Sequence, residues 1–214
     1  VFYSGEIARA IADDMKKNDA LLSAEDLKAW KPVRNPPLWG DYRGYKVSTN
    51  QPPGGGVMLI EMLNILENFD IGALEHGSTE HLRIVAEALK RATIDKDAKV
   101  GDPKFVTVPV GELTSKAYAK AMAGEIARGE KASVTRFNSG AVSKDTTHIS
   151  VLDKDGNCFT MTHSLGMPSG VITPGLGFMY NGCMGVFDPR PGRAGSSAPG
   201  KARCSSGVPA TGTR

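Results

Sequence analysis

Cysteine is scarce in this sequence: Cys158, Cys183 and Cys204 are the only three, and no two of them stand in C-x-x-C spacing. That argues against both a disulfide framework and a thiolate zinc site. The four histidines, His76, His81, His148 and His163, show no metal-ligand spacing, so no metal is expected. His81 reads as part of a solvated helix face, and His148 and His163 as residues that pack or hydrogen-bond near a hairpin. A long apolar run is also missing. The longest, Val57 to Leu66, is interrupted by Glu61 and Asn64 and is too short to span a bilayer. Charge of one sign is not concentrated anywhere: 26 basic and 23 acidic side chains leave a net charge of +3. Neither nucleic acid nor a membrane surface is indicated, and the run Arg190, Arg193, Lys201, Arg203 reads as a solvated loop. No Gly-Lys-Ser/Thr follows Pro53-Gly54-Gly55-Gly56, which makes that stretch a turn and helix cap, not a phosphate loop. The chain opens directly into an amphipathic pattern, with no signal peptide among these residues.

What is present is a globular composition, 40% hydrophobic and 23% charged, sufficient for one sizeable core. The first part is helical in pattern. Ser4 is placed to cap a helix carrying Ile7, Ala8, Ile11 and Met15, and Ser23 with Asp26 forms a capping-box signature before Leu27. Alternation at Tyr45, Val47 and Thr49 predicts a strand. A buried helix is expected from Val57 to Phe69, another near Glu80 to Thr93 with Leu82, Val85, Ala86 and Leu89 on one face, and a third near Thr114 to Arg128. From Glu130 to Asp145 the chain is polar and without period, which predicts an exposed loop.

At Thr146 the period changes to two. Thr146 to Leu152 and Cys158 to His163 read as strands joined at Asp153-Lys154-Asp155-Gly156-Asn157, and further short strands are expected at Val171 to Ile172 and Phe178 to Tyr180. Two registers are open. A two-residue Asp155-Gly156 turn places Thr146 opposite Leu165, whereas a three-residue loop with Gly156 left-handed places it opposite Ser164. In the second, two hydroxyls meet across the open end of the hairpin. A threonine hydroxyl is a weak nucleophile, and one remedy is the amine of the same residue once it becomes a chain terminus. That amine, with a reference pKa of roughly 8, exists only if the Asp145-Thr146 bond is broken.

The residues from Thr146 to Asn157 resemble the opening of the small subunit of gamma-glutamyltranspeptidases. Gly40-Asp41-Tyr42-Arg43-Gly44-Tyr45, Pro52 to Gly56 and Leu63-Asn64-Ile65-Leu66-Glu67-Asn68-Phe69 are similar to that family's large subunit, and Ser205-Ser206 resembles its serine pair. The resemblance implies an α+β fold, the αββα sandwich of N-terminal-nucleophile hydrolases, incomplete in this chain. It divides the chain into a large-subunit-like region, 1–145, mostly helical, and the start of a β-rich small-subunit-like region, 146–214. It further implies self-cleavage between Asp145 and Thr146, a large/small heterodimer afterwards, and Thr146 as nucleophile. Ser164 would stand where the family has a threonine bonded to the nucleophile, and Ser205 and Ser206 would hold the substrate carboxylate.

The implied reaction is transfer of the acyl group of a small gamma-glutamyl compound such as glutathione, or of another acyl amide, to an amino acid, peptide or water. It needs no cofactor. A periplasmic or extracellular setting also follows from the family. Two positions depart from its pattern: Gly166 replaces an asparagine, and Val186 replaces an aspartate that grips the substrate ammonium, with Asp188 two positions away. The family's glycine pair that stabilises the oxyanion would lie beyond Arg214. Alternatives to glutamyl transfer are an acylase of different specificity, an unprocessed precursor, and a truncated non-catalytic remnant.

Overall fold

The computed structural model describes residues 1–135, 146–205 and 208–213. Its class is α+β, as expected. The expected loop lies mostly outside the described residues, which resume at Thr146.

Helix α1 (Glu6–Lys17) buries Ala8 and Ile11, the inner members of its apolar stripe. It begins after Gly5 with no side-chain cap, so Ser4 does not cap it. In α2 (Ala24–Ala29) the capping box is made as read: Asp26 N–H donates to Ser23 Oγ at 3.1 Å and Ser23 N–H to Asp26 Oδ2 at 3.0 Å. Strands β1 (Leu38–Tyr42) and β2 (Tyr45–Thr49) form an antiparallel hairpin around Arg43 and Gly44, both with positive φ, which suits the twist of the flanking strands.

Helix α3 (Gly56–Leu66) is the centre of the helical layer, with Val57, Ile60 and Ile65 buried together with Glu61 and Asn64. It packs on α4 (Thr79–Lys99) and α6 (Lys116–Ala127), with the short α5 (Val110–Leu113) beside it. One apolar cluster joins Ile65, Ile84, Ala88, Ala119, Ala123 and Ile126, and a second joins Leu38, Val57, Ile60, Val100 and Leu113.

The inner face of α4 is not the one its leucines suggest. Leu82 and Leu89 are 57% and 45% exposed, while Ile84, Glu87, Ala88, Arg91, Ala92 and Asp95 are buried. Alanines allow close approach to α3 and α6, and the buried charges are partnered: Arg91 Nη1 donates to Glu87 Oε2 at 2.6 Å, and Tyr118 Oη to Asp95 Oδ2 at 2.7 Å. Glu87 Oε2 also accepts from the backbone N–H of Ala132 at 2.8 Å, which fixes the chain as it leaves α6 toward the expected junction. His81 is half-buried against His76, not on a solvated face, with ring centroids 5.3 Å apart.

The second region contributes β3 (Thr146–Leu152), β4 (Cys158–Ser164) and β5 (Ala210–Thr213). Strand β5 pairs antiparallel with β2, so the sheet order β1-β2-β5 crosses the division expected at Thr146. The short strands expected at 171–172 and 178–180 are absent. Those segments meet through Tyr180 N–H to Val171 O at 3.0 Å without forming a ladder, and Phe178 and Tyr180 pack on α1.

Candidate active site

Asp153 decides the hairpin register. Its carboxylate accepts from the N–H groups of Asp155 at 2.9 Å and Asn157 at 2.8 Å and from Asn157 Nδ2 at 2.9 Å. Those donors, the Asn157 side chain foremost, hold its carboxyl below the usual range. The loop so gathered has three residues, with Gly156 at φ +82. Leu152 therefore pairs with Cys158 and, counting outward, Thr146 with Ser164. Of the two registers open to the sequence, this is the one that brings the hydroxyls together.

Their oxygens, Thr146 Oγ1 and Ser164 Oγ, lie 2.9 Å apart. The same face of the hairpin continues as a polar ladder: His148 Nδ1 is 2.9 Å from Thr162 Oγ1, and its Nε2 is 3.0 Å from Thr160 Oγ1 and 3.1 Å from Ser150 Oγ. The imidazole is thus engaged with strand hydroxyls. The sequence offered no signal for the next contact inward, a hydrogen bond from the backbone N–H of Gly166 to Ser164 Oγ at 2.9 Å.

Thr146 and Ser164 open onto a cleft of about 600 Å³ that Thr147, His163, Leu165, Pro168 and Met179 complete. No carboxylate, lysine or arginine lines it among the described residues. Ser205 is not among its lining residues; the N–H of Ser205 donates to Pro53 O at 2.9 Å. Asp145 and Ser206 lie outside the described residues.

Val186 stands near Gly166 and also lines a separate cleft of about 210 Å³ with Asp188, Arg190 and Cys204. Asp188 is committed there. Arg190 Nε donates to its Oδ1 at 2.8 Å and Nη2 to its Oδ2 at 2.5 Å, which pulls its carboxyl down to about 2. An ammonium group approaching Asp188 would have to displace that two-pronged contact.

Chemically, two neutral hydroxyls form a relay but contain no base. The nitrogen of Thr146, next to Oγ1, would be a base once it is an amine and not an amide.

A family model described as gamma-glutamyltranspeptidase matches residues 1–211. The chain is 42% identical over 198 residues to the glutathione hydrolase proenzyme of Escherichia coli strain K12, spanning 89% of this chain and 34% of that protein. It is 44% identical over 202 residues to the acylase ACY 1 proenzyme of Pseudomonas sp. strain V22, spanning 93% and 36%. Among solved structures, a cephalosporin acylase from Bacillus halodurans superposes with a TM-score of 0.82 at 28% identity, over 100% of this chain and 38% of that one. The gamma-glutamyltranspeptidase of Helicobacter pylori gives 0.57 at 38% identity, over 66% of this chain and 43% of that one. This chain therefore spans about a third of the length of the curated relatives it matches.

Proposed function

Because the chain belongs to the gamma-glutamyltranspeptidase family, we propose that Thr146 is the nucleophile of a self-processing amidohydrolase or acyltransferase. The observation that carries this reading is the 2.9 Å contact between Thr146 Oγ1 and Ser164 Oγ at the mouth of a cleft.

The chemistry runs in two stages. In the unbroken chain, Thr146 Oγ1 attacks the carbonyl carbon of Asp145. The C–O bond forms, the C–N bond breaks and the nitrogen takes up the proton. Water then hydrolyses the ester, which leaves a carboxylate on Asp145 and a free amine on Thr146. In the second stage that amine accepts the Oγ1 proton while Oγ1 attacks the acyl carbon of an amide substrate, with Ser164 holding Oγ1 in place through their shared hydrogen bond. The amine of the substrate leaves with a proton. Water, an amino acid or a peptide then takes the acyl group from Thr146. The two pieces form the large and small subunits of one heterodimer.

Gamma-glutamyl compounds such as glutathione are one substrate class, in keeping with the relatives named glutathione hydrolase. A second reading, an acylase for an uncharged acyl group, is favoured by the cleft lining and by the engagement of Asp188 with Arg190. A glutamyl ammonium needs an acceptor of opposite charge, whereas Leu165, Pro168 and Met179 suit an apolar chain.

Intact mass spectrometry of the chain after prolonged incubation, beside a Thr146→Ala control, tests the nucleophile. Fragments 1–145 and 146–214, absent from the control, are expected. A single uncleaved species in both samples would leave an unprocessed precursor or a non-catalytic remnant as the reading. Once cleavage is seen, comparing gamma-glutamyl and aliphatic acyl anilides as substrates separates the two specificities.

A further inference from the structure

The peptide unit between Leu165 and Gly166 has both edges engaged. Its N–H donates to Ser164 Oγ at 2.9 Å. Its carbonyl, on the opposite edge of the same plane, accepts from three donors: Met167 N–H at 2.8 Å, Gly182 N–H at 3.2 Å and Cys183 Sγ at 3.4 Å. A peptide is rigid about its C–N bond, so whatever holds the carbonyl also aims the N–H.

The Met167 contact closes a three-residue turn around Gly166, whose φ is +69. This is the rarer, positive-φ kind of γ-turn, one that side chains resist. A Cβ on Gly166 would lie 2.9 Å from Cys183 Sγ and 3.6 Å from Cys183 Cα, so the turn is also pressed against the 181–186 segment. That segment is tied to the residues just after the turn as well, the Gly182 N–H being shared between Leu165 O and Met167 O. Gly182 N–H bonds Met167 O at 2.6 Å, and Pro168 bridges Asn181. A strained turn persists only where its surroundings over-determine it, and these do.

We propose that the Leu165–Gly166 peptide, clamped by Gly182 and Cys183, is a positioning element that acts on Thr146 through Ser164. By occupying one lone pair of Ser164 Oγ, the Gly166 N–H polarises that hydroxyl and leaves its own proton for Thr146 Oγ1. Gly166 and Cys183 touch neither nucleophile nor substrate in this role. The inference rests on the reading of Thr146 as the nucleophile.

A double-mutant cycle tests it in the full chain, with self-cleavage rates from intact mass spectrometry and thermal unfolding as the check on folding. Gly166→Ala places a side chain at positive φ and against Cys183. It is expected to slow cleavage about 10-fold when Ser164 is present and to add no further slowing when Ser164→Ala is already made. Adding Cys183→Ala to Gly166→Ala removes the obstructing sulfur and is expected to restore part of the rate.

Should Gly166→Ala fail to fold, Cys183→Ala alone, which removes one donor from Leu165 O, carries the same cycle with a several-fold effect. Wild-type cleavage with equal slowing in both Ser164 backgrounds would make the turn merely structural and overturn the proposal, as would a variant that cleaves at the wild-type rate. Absence of cleavage in the wild type would instead remove the nucleophile itself, and the positioning role with it.

Discussion

Ser164 and Thr146 share one hydrogen bond, and its direction matters because only one of the two oxygens is to lose its proton. Gly166 N–H already occupies Ser164 Oγ as an acceptor, which favours Ser164 as the donor toward Thr146 Oγ1. Replacing Ser164 by alanine removes the hydrogen-bond partner that orients Thr146 Oγ1. Self-cleavage is expected to slow about 10- to 100-fold, the order for losing one positioning hydrogen bond of roughly 1.4–2.8 kcal/mol. Ser164→Thr, which keeps the hydroxyl, should retain most of the rate, and time-resolved mass spectrometry of the two variants distinguishes them. Equal rates in Ser164→Ala and wild type would mean that Thr146 needs no hydroxyl partner.

At the scale of elements, the helical layer is held by close approach and by buried polar contacts as much as by large apolar side chains. Two substitutions on α4 make the point. Leu82→Ala, at an exposed position, should change stability by less than about 0.5 kcal/mol. Ala88→Leu, where exposure is 0%, forces α4 away from its neighbours and should cost about 1–3 kcal/mol by urea denaturation.

The same interface contains Glu61, only 1% exposed, with Oε1 buried and without a hydrogen-bond partner among the described residues. Burial, and then the nearby charge of Asp95, push its carboxyl up to about 9. The folded chain thus keeps a proton that the unfolded chain releases above the ordinary carboxylate range. Stability from this group falls as pH rises from that range to about 9 and levels off beyond it. The slope approaches about 1.4 kcal/mol per pH unit for one proton. Denaturation curves between those limits should show that fall in the wild type and a flatter profile in Glu61→Gln. A parallel fall in both would place the titration elsewhere.

For the whole molecule, the two regions are joined by more than the bond at Asp145. Strand β5 completes the β1-β2 sheet, and Leu176, Phe178 and Tyr180 pack on α1. Thr173 Oγ1, itself buried, donates to Asp14 Oδ2 at 2.6 Å. Cutting the chain before Thr146 breaks none of these contacts. Fragments 1–145 and 146–214 should therefore co-elute on size exclusion under native conditions and separate only in denaturant. Separate elution in native buffer would show that these joints cannot hold the pieces together.

Read from the sequence alone, periodicity located α1, α3, α6 and both strands of the Thr146 hairpin, because spacing of apolar residues and Gly-rich turns are local properties of the chain. The capping box at Ser23 and the buried character of α3 were legible for the same reason, and the extended motifs identified the family. Four things were not legible. Strand β5 forms because β2 has an open edge opposite it, a fact about residues far apart in the chain. The inner face of α4 depends on which side chains find partners on α3 and α6, and Glu87, Arg91 and Asp95 do so while Leu82 and Leu89 do not. The register of the hairpin was narrowed by turn chemistry to two choices, and only the three donors gathered by Asp153 decide between them. Last, the N–H aimed at Ser164 belongs to a backbone turn held by Gly182 and Cys183. The sequence by itself thus determined the family, most of the helices and the hairpin strands, and through the family resemblance the nucleophile worth testing, since extended motifs and apolar spacing are carried by the chain itself. What turns Thr146 and Ser164 into a pair with a common hydrogen bond was decided only in the folded structure, because the register that joins them rests on the contacts Asp153 gathers in the turn.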